Sequence, residues 1–364
     1  MHTDERYMQL AIRLAKRAQG LTSPNPAVGA VIVKSGRVIG KGYHKRCGLP
    51  HAEINAIKDA GRETRGSTLY VTLEPCDHFG RTGPCTDAII QSGIAMVVAA
   101  MKDPNPLNNG RGISKLNRYG IKTSIGILED ESRSINLPYI KYITKRLPYV
   151  TVKIAESIDG KIATDSGQSR WITDEDSRRY VHVLRSKVDA VMVGVNTVIK
   201  DDPLLLSKAA SAKRQPARII VDSHLRTPIG AKIFSGIHIS KVLIATAKKN
   251  PARKIKPYEN KGAKVLFLRS KAGRVDLKSL LAELARMEMA HVLVEGGGEL
   301  VGSLAKERLV DRFLFFIAPK IIGGKNAPGA VGGDGIERMD QAIILKKMKI
   351  KRFKRDVMID AEVL

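Results

Sequence analysis

The sequence predicts an α/β protein of two domains. Strand-like and helix-like segments alternate from the N-terminus to about residue 145, and a second alternation begins at YVTVKIA. A length of 364 residues is also typical of two domains. The segment YIKYITKRLP, residues 139–148, is the predicted linker. The predicted domains therefore span residues 1–145 and 148–364.

The first domain begins with an amphipathic helix, in which Tyr7, Met8, Ala11 and Leu14 follow helical spacing. The elements predicted after it are a hairpin in VGAVIVKSGRVIGKGYH, a short helix in AEINAIKDA, a strand in STLYVTL, a helix from about Thr86, a strand in IAMVVAAM, a helix in GISKLNRYG and a strand in IKTSIGIL.

The second domain has the same alternation of strands and helices. Its predicted strands include YVTVKIA, AVMVGV, ARIIVD, KVLIAT, AKVLFL, HVLVEG and FLFFIAP. Its helices are predicted at 175–185, 277–287 and 299–306, and the basic C-terminal segment is predicted as a strand pair.

Composition limits the classes of function. The formal net charge of +26 indicates solvated basic faces. The more specific interpretations are that the protein binds acidic small molecules or nucleic acid. Only three cysteines are present, which argues against a disulfide framework and for metal or catalytic roles. Neither a signal peptide nor a membrane-spanning segment is predicted, so we expect a cytoplasmic protein that does not contact membranes.

One group of residues predicts a catalytic zinc site. His51 and Glu53 open a helix, and Cys76 and Cys85 follow a strand, in the H-x-E…P-C…C order of zinc deaminases. One histidine nitrogen and two thiolates leave a fourth position for water, whose pKa zinc lowers towards neutrality. Glu53 would move the proton from that water to the leaving amine.

Two features around this group leave alternatives open. The cysteines are separated by eight residues, where the generic motif has two, and the intervening loop could bring His78 and Arg81 near the metal. A structural zinc site closed by His78 is the alternative, although it gives Glu53 no task. We expect Cys47 to be a buried thiol, and His44 to lie at the surface or on the substrate side.

TSPNPAVGAVIV, HAEINAI and EPCDHFGRTGPC together resemble the bifunctional RibD family of riboflavin biosynthesis. VKIAESIDGKIAT, SGQSRWIT, AVMVGVNTVIKDDPLL, ARIIVDSHLRTP and VEGGGELVGSL extend the resemblance over nearly the whole chain. The resemblance implies a cytidine-deaminase-like three-layer domain followed by a dihydrofolate-reductase-like domain. It also implies one Zn²⁺ per chain, held by His51, Cys76 and Cys85, with Glu53 as the catalytic residue.

The resemblance also implies an NADPH site and a substrate site in the second domain. The cofactor positions fall on Ala155, Trp171, Thr197, Asp201, Ser223, Gly296, Gly297 and Gly298, and the substrate positions on Ser169, Arg185, Leu205, Lys208 and Glu295. The chain departs from the family at Lys208, where arginine is usual, and at Asp174, where glycine is usual. Lysine lacks the bidentate fork with which arginine binds phosphate.

The implied function is hydrolytic deamination of 2,5-diamino-6-(5-phosphoribosylamino)pyrimidin-4-one, followed by NADPH-dependent reduction of the ribosyl side chain. The partner is thus a small phosphoribosylaminopyrimidine and not nucleic acid, and the resemblance allows a homo-oligomer. Two alternatives stay open at this point. One is a zinc deaminase acting on nucleic acid, suggested by the net charge, and the other is a deaminase with an inactive reductase half, suggested by Lys208 and Asp174.

Overall fold

The computed structural model describes residues 3–79, 83–247 and 251–364. Contacts within the chain divide it into two compact units, Met1–Leu147 and Pro148–Leu364, and each is described by itself. No helix among the described residues is both long enough and apolar enough to cross a membrane.

The first unit follows the predicted order of helices and strands as far as residue 125, and two helices that the sequence did not predict come after it. Its elements are α1 (Thr3–Lys16), β1 (Gly29–Lys34), β2 (Arg37–Tyr43), α2 (Ala52–Ala60), β3 (Thr68–Val71), α3 (Cys85–Gln91), β4 (Met96–Ala99), α4 (Arg111–Arg118), β5 (Lys122–Ile125), α5 (Glu129–Ile135) and α6 (Leu137–Lys145).

The first unit has three layers, as predicted. Its five strands lie in the order β2-β1-β3-β4-β5, with β3, β4 and β5 parallel. Alternate residues of β1 face opposite sides: Val31 and Val33 pack against α1, whereas Ala30 and Ile32 pack against α2 and its neighbours. Because the parallel strands all end at one edge, the loops after β3 and β4 meet there, and this carboxyl edge holds the candidate site.

The segment predicted as a linker is mostly helical. Helix α6 covers Leu137–Lys145, and Tyr139 is buried in the core of the first unit with Ile140 and Ile143 packed beside it. These apolar residues follow helical spacing, and their burial stabilises the folded state. An extended, solvent-exposed linker would leave the same side chains in water.

The second unit contains the remaining eleven strands and five α-helices of the described residues. They are β6 (Tyr149–Ser157), α7 (Glu175–Arg185), β7 (Ala190–Gly194), α8 (Val195–Asp201), β8 (Ala217–Val221), β9 (Val242–Thr246), α9 (Ala252–Asn260), β10 (Lys264–Phe267), β11 (Ser270–Lys271), β12 (Arg274–Val275), α10 (Leu277–Arg286), β13 (His291–Glu295), α11 (Gly298–Lys306), β14 (Arg312–Ala318), β15 (Leu345–Phe353) and β16 (Asp356–Val363).

A nine-stranded sheet forms the centre of the second unit, in the order β10-β9-β8-β7-β13-β6-β14-β16-β15. Strands β10 through β14 of this order are parallel, and β16 and β15 add an antiparallel pair at one edge. The predicted C-terminal strand pair is thereby confirmed. Its lysine-rich outer strand is mostly exposed, as expected for an edge strand that resists pairing with other chains.

Helix α8 was not predicted from the sequence. The apolar run AVMVGV predicts a strand through Val195, but the strand ends at Gly194 and the helix begins at Val195. Val195 and Val198 are one helical turn apart and both enter the core, so their burial outweighs the low helix propensity of valine.

The core of the second unit contains a fully buried arginine. The guanidinium of Arg218, on β8, donates to the carbonyls of Ile233, Ser235, Gly236 and Ser240 and to the Ser240 hydroxyl, at 2.6–3.2 Å. Burial lowers the pKa of Arg218 to about 10, which leaves it charged at neutral pH. Its hydrogen bonds thus hold the turn after β8 against the sheet.

We predict that Arg218→Met lowers the free energy of unfolding by about 3 kcal/mol or more, because several buried carbonyls lose their donor. Urea denaturation followed by circular dichroism measures the change. Arg269→Met, the same substitution at an exposed position, serves as the control. Equal stability of the two variants would contradict the role given to Arg218.

A half-buried histidine makes the stability of the second unit depend on pH. His291 begins β13, and its Nε2 lies 2.9 Å from the Thr151 hydroxyl. Burial lowers the pKa of His291 from 6.5 to about 4. Below pH 6.5 the unfolded chain therefore takes up a proton that the folded chain refuses until about pH 4, and this proton uptake favours unfolding.

We expect the free energy of unfolding to fall by about 3 kcal/mol from this residue between pH 7 and pH 4. His291→Asn should remove that part of the pH dependence, whereas His238→Asn, at an exposed position, should retain it. Urea denaturation at several pH values measures both. Identical pH profiles for the two variants would show that His291 does not contribute.

Candidate active sites

Three predicted ligands meet at the carboxyl edge of the first sheet. The ligand atoms of His51, Cys76 and Cys85 all lie within 4.8 Å of one another. The His51 Nδ1 atom faces both sulfurs, at 3.3 Å from Cys85 Sγ and 3.6 Å from Cys76 Sγ. Three such donors can bind one metal ion through a single histidine nitrogen and two sulfurs.

Close backbone packing positions these ligands. His51 precedes α2, and that helix lies so near β2 that a Cβ at Gly42 would come within 2.2 Å of the Ala52 carbonyl oxygen. A Cβ at Gly112, in α4, would similarly come within 2.0 Å of the Pro75 carbonyl oxygen, next to Cys76. Only glycine at these two positions allows the helices to reach the site.

A buried glutamate organises the loops on the cysteine side. The Glu74 carboxylate accepts hydrogen bonds from the backbone amides of Asp103, Gly110 and Ile113, at 2.9–3.3 Å. Asn108 completes the arrangement by donating to the Pro75 carbonyl and accepting from the Asp77 amide. Cys76 is thus held between Pro75 and Asp77, both of which are bound to Asn108.

Glu53 lies beside the cluster and is buried. Burial, reinforced by the negative charge of Cys76, raises the pKa of the Glu53 carboxyl to about 7. The group can therefore accept or donate a proton near neutral pH, which suits a carboxyl that shuttles protons.

The cysteines and histidine of the cluster influence one another. The hydrogen bond from Cys85 lowers the pKa of the Cys76 thiol, and the same bond together with burial raises the pKa of Cys85. The hydrogen bond to Cys76 raises the pKa of His51. One thiolate is thus stabilised within the cluster, in the form that binds a metal.

The neighbouring residues named from the sequence have different surroundings. His44 was expected at the surface or on the substrate side, but it is 2% exposed. Its Nδ1 lies 3.3 Å from the Pro50 carbonyl oxygen, and its ring meets the His51 ring edge to face. Cys47 is half-buried. His78 Nδ1 is buried with no hydrogen-bond partner among the described residues, and Arg81 lies outside those residues.

The donor set fits zinc. A nitrogen and two sulfurs are ligands that Zn²⁺ commonly takes, and three protein ligands leave one coordination position open. The buried Glu53 beside these donors offers a proton-accepting group, which a closed structural zinc site would not need.

The second unit contains a cavity of about 620 Å³. It is lined by all but one of the residues predicted for the cofactor and substrate. These are Ala155, Ser169, Trp171, Arg185, Thr197, Asp201, Leu205, Lys208, Glu295, Gly296, Gly297 and Gly298.

An ion-pair cluster forms one wall of this cavity. The Glu295 carboxylate accepts two hydrogen bonds from the Arg185 guanidinium, at 2.6 and 2.9 Å, and lies 3.6 Å from Lys153 Nζ. Burial alone would raise the pKa of Glu295, but the two cations outweigh burial and lower it to about 2. Arg185 also donates to the Leu206 carbonyl, so the guanidinium is fixed within the wall.

Three further positions concern one predicted cofactor residue and the two departures from the family pattern. Ser223 does not line the cavity as the structure describes it, and its hydroxyl accepts from the Val275 amide. Lys208 is exposed at the cavity, and its backbone amide donates to His182 Nδ1. Asp174 also lies outside the lining and caps α7 by accepting from the Glu175 amide.

The sequence interpretation assigned no function to several residues that line this cavity. These residues include Lys153, Arg178, His182 and Lys232. Lys153 could not have been found, because only the register of two strands far apart in the chain places it opposite Glu295. Arg178, which lies over the Trp171 ring at 4.3 Å, could not have been found either, since nothing local links the two residues.

Each unit matches a known family. Residues 1–101 match the family described as the cytidine and deoxycytidylate deaminase zinc-binding region. Residues 148–359 match the RibD C-terminal domain. The two fold predictions, deaminase-like and reductase-like, are thereby confirmed.

Full-length relatives and solved structures agree with these matches. The riboflavin biosynthesis protein RibD of Aquifex aeolicus is 45% identical over 98% of this chain and 97% of its own length. The Escherichia coli protein of the same name is 37% identical over 97% of this chain and 98% of its own.

Acinetobacter baumannii RibD, form 1, has a TM-score of 0.89 at 35% identity, covering 100% of this chain and 99% of that one. A Thermotoga maritima protein described as a diaminohydroxyphosphoribosylaminopyrimidine deaminase and 5-amino-6-(5-phosphoribosylamino)uracil reductase has a TM-score of 0.86 at 35% identity, with the same coverage. The chain therefore belongs to the RibD family, and it is a bifunctional deaminase and reductase of riboflavin biosynthesis.

Proposed function

We propose that Glu53 is the catalytic proton shuttle of the deaminase half and that His51, Cys76 and Cys85 hold one zinc ion per chain. The observation that carries this proposal is the meeting of three ligand atoms within 4.8 Å beside a buried acid. A zinc ion bound there would supply the Lewis acidity that makes water a nucleophile near neutral pH.

The residues of the chain then perform the proton transfers. The substrate is 2,5-diamino-6-(5-phosphoribosylamino)pyrimidin-4-one, and water replaces its C2 amino group, which leaves as ammonia. Glu53 takes a proton from the attacking water and delivers it to the departing amine. Its pKa of about 7 supports both steps, because neither protonation state is strongly favoured at neutral pH.

For the reductase half, we propose that the 620 Å³ cavity binds NADPH and the deaminated intermediate together. NADPH supplies a hydride to C1′ of the ribosyl group when it is bound. Gly296–Gly298 follow β13 and precede α11, where backbone can approach a phosphate closely. Together with Ala155, Trp171, Thr197, Asp201 and, at a distance from the lining, Ser223, they form the proposed cofactor set.

The proposed substrate set consists of Ser169, Arg185, Leu205, Lys208 and Glu295. Because Arg185 is committed to Glu295, the exposed Lys208 is the better candidate for the substrate phosphate, as a point charge. Glu295 is ionised throughout the neutral range and can accept hydrogen bonds from ribosyl hydroxyls. It also sets the charge of the wall that faces the reacting carbon.

The remaining features are proposals as well. We place the deaminase in residues 1–145 and the reductase in residues 148–364, and expect a cytoplasmic enzyme that acts on small molecules and allows a homo-oligomer. Asp174 lies outside the cavity lining, so this departure from the family pattern gives no support to an inactive reductase half. Membership of the RibD family likewise favours the pyrimidine substrate over nucleic acid.

We predict that Glu53→Gln lowers the rate of ammonia release at least about a hundredfold, because the amide cannot carry the proton. Ammonia is measured with zinc-loaded protein and the diaminopyrimidine substrate. NADPH oxidation on the separately prepared deaminated intermediate should be unchanged, and zinc content should remain one per chain. Deamination at the wild-type rate would exclude Glu53 as the shuttle.

We expect Glu295→Gln to lower kcat/KM for NADPH oxidation about a hundredfold, because Arg185 and Lys153 lose their buried counter-charge. NADPH absorbance with the deaminated intermediate measures the rate, and ammonia release from the first substrate is the internal control. Unaltered reduction would remove Glu295 from the proposed substrate set.

A further inference from the structure

The first unit also contains a cavity, for which the proposed reaction gives no role. It has a volume of about 350 Å³, and its walls include Asp77, Lys102, Gly110, Arg111, Ser114 and Arg118. Lys102 and Gly110 belong to the connection that follows β4, so this part of the wall of the basic cavity lies at the same carboxyl edge as the metal-ligating cluster.

The charges around the basic cavity are unbalanced. Lys102, Arg111 and Arg118 make no ion pair with any described residue. The one carboxylate in the wall, Asp77, is already bound to Lys115 Nζ at 2.7 Å and to the Thr86 hydroxyl at 2.8 Å. Lys115 also pairs with Asp87 at 2.6 Å. The neighbouring acids are therefore already bound. Arg118 lies near enough to Asp77 to help lower the pKa of that carboxyl, but none of the three cations forms an ion pair within the part of the chain that the structure describes.

The cations converge because of the local backbone. Arg111, Ser114 and Arg118 lie three and seven residues apart on α4, which places them on one face of that helix. Gly110 leaves space for Lys102, since a Cβ there would come within 2.8 Å of Lys102 Cε and 3.1 Å of Nζ.

The start of α4 does not itself provide the charge. Glu74 already accepts hydrogen bonds from the amides of Gly110 and Ile113, and the Arg111 amide donates to the Asn108 carbonyl. The attraction for an anion therefore comes from the side chains of Lys102, Arg111 and Arg118. Two guanidinium forks, one ammonium and the Ser114 hydroxyl suit a phosphate dianion.

The basic cavity lies next to the deaminase site. Asp77, in its wall, directly follows the predicted zinc ligand Cys76, and Asn108 binds the backbone on both sides of Cys76. The proposed deaminase substrate is a pyrimidine with a phosphoribosyl arm. An arm leaving the metal site along the carboxyl edge would carry its phosphate towards these cations.

We propose that the basic cavity binds the phosphate group of the deaminase substrate, an inference that rests on the proposed function. Lys102, Arg111 and Arg118 are then residues that determine specificity for a phosphorylated over an unphosphorylated aminopyrimidine riboside. They act on binding and take no part in the proton transfers at Glu53.

Ammonia release from the phosphorylated substrate and from its dephosphorylated counterpart tests the proposal, with zinc-loaded full-length protein and no NADPH. The variants are Arg111→Gln, Arg118→Gln, Lys102→Gln and the Arg111→Gln/Arg118→Gln pair. The control is Arg37→Gln, which removes an exposed charge beside the β1–β2 turn, at the opposite edge of the sheet. Inorganic phosphate serves as a direct probe of the cavity.

We expect each single variant to lower the preference for the phosphorylated substrate about tenfold, mainly through KM, and the pair to lower it further. Inorganic phosphate should inhibit the wild type competitively and the variants more weakly, and higher ionic strength should reduce the preference. Arg37→Gln should behave as the wild type.

Two results would overturn the inference while leaving the proposed function intact. One is an equal loss of activity on both substrates, which would indicate a structural role, and the other is an unchanged preference, even if inorganic phosphate still binds. If the wild type released ammonia from neither substrate, the proposed function would fail, and the inference would fail with it.

Discussion

The deaminase half depends on the hydrogen bonding of one buried carboxylate. Glu74 follows β3 and binds three backbone amides, two from the connection between β4 and α4 and one from the first turn of α4. This interaction joins two loops at the carboxyl edge that would otherwise be independent. Because Cys76 lies two residues after Glu74, the same contacts hold a predicted metal ligand in place. They also bring Lys102 and Arg111 to the neighbouring cavity.

The reductase half contains a second buried glutamate at the end of a parallel strand, but its charge is balanced differently. Glu295 ends β13 and is neutralised by the side chains of Arg185 and Lys153. Among the described residues, Glu74 is hydrogen-bonded only by backbone amides, and it therefore holds its loops in place. Glu295 lines a large cavity together with Arg185 and Lys153, so it can take part in binding there. The buried acid of the deaminase half thus holds loops in position, whereas the buried acid of the reductase half sets the charge of a binding cavity.

The positions of the basic residues in the fold explain different parts of the excess positive charge. Much of the +26 formal charge lies on solvated faces such as β15, where lysines protect an edge strand from pairing with other chains. Around the two candidate sites the cations have other tasks. Lys115 and Arg185 satisfy buried or half-buried acids, whereas Lys102, Arg111, Arg118 and Lys208 remain available for anionic ligands. Small substrates that carry phosphate fit this distribution of cations, which the net charge alone does not indicate.

The sequence by itself determined the α/β class, most of the element order and the group His51, Glu53, Cys76 and Cys85. It could do so because these properties depend on local periodicity and on a motif whose spacing reflects the chemistry. It missed α8 and the helical character of residues 137–145, where burial of a few apolar side chains outweighs local preference.

Only the tertiary structure decided which charges meet. It buried His44, placed Ser223 outside the described lining of the reductase cavity and paired Arg185 with Glu295. It also brought together three cations around Gly110 that have no ion-pair partner among the described residues. These outcomes depend on contacts between residues far apart in the chain. The free energies of these contacts depend on burial and on the geometry at the ends of the strands. Neither can be read from the amino-acid sequence.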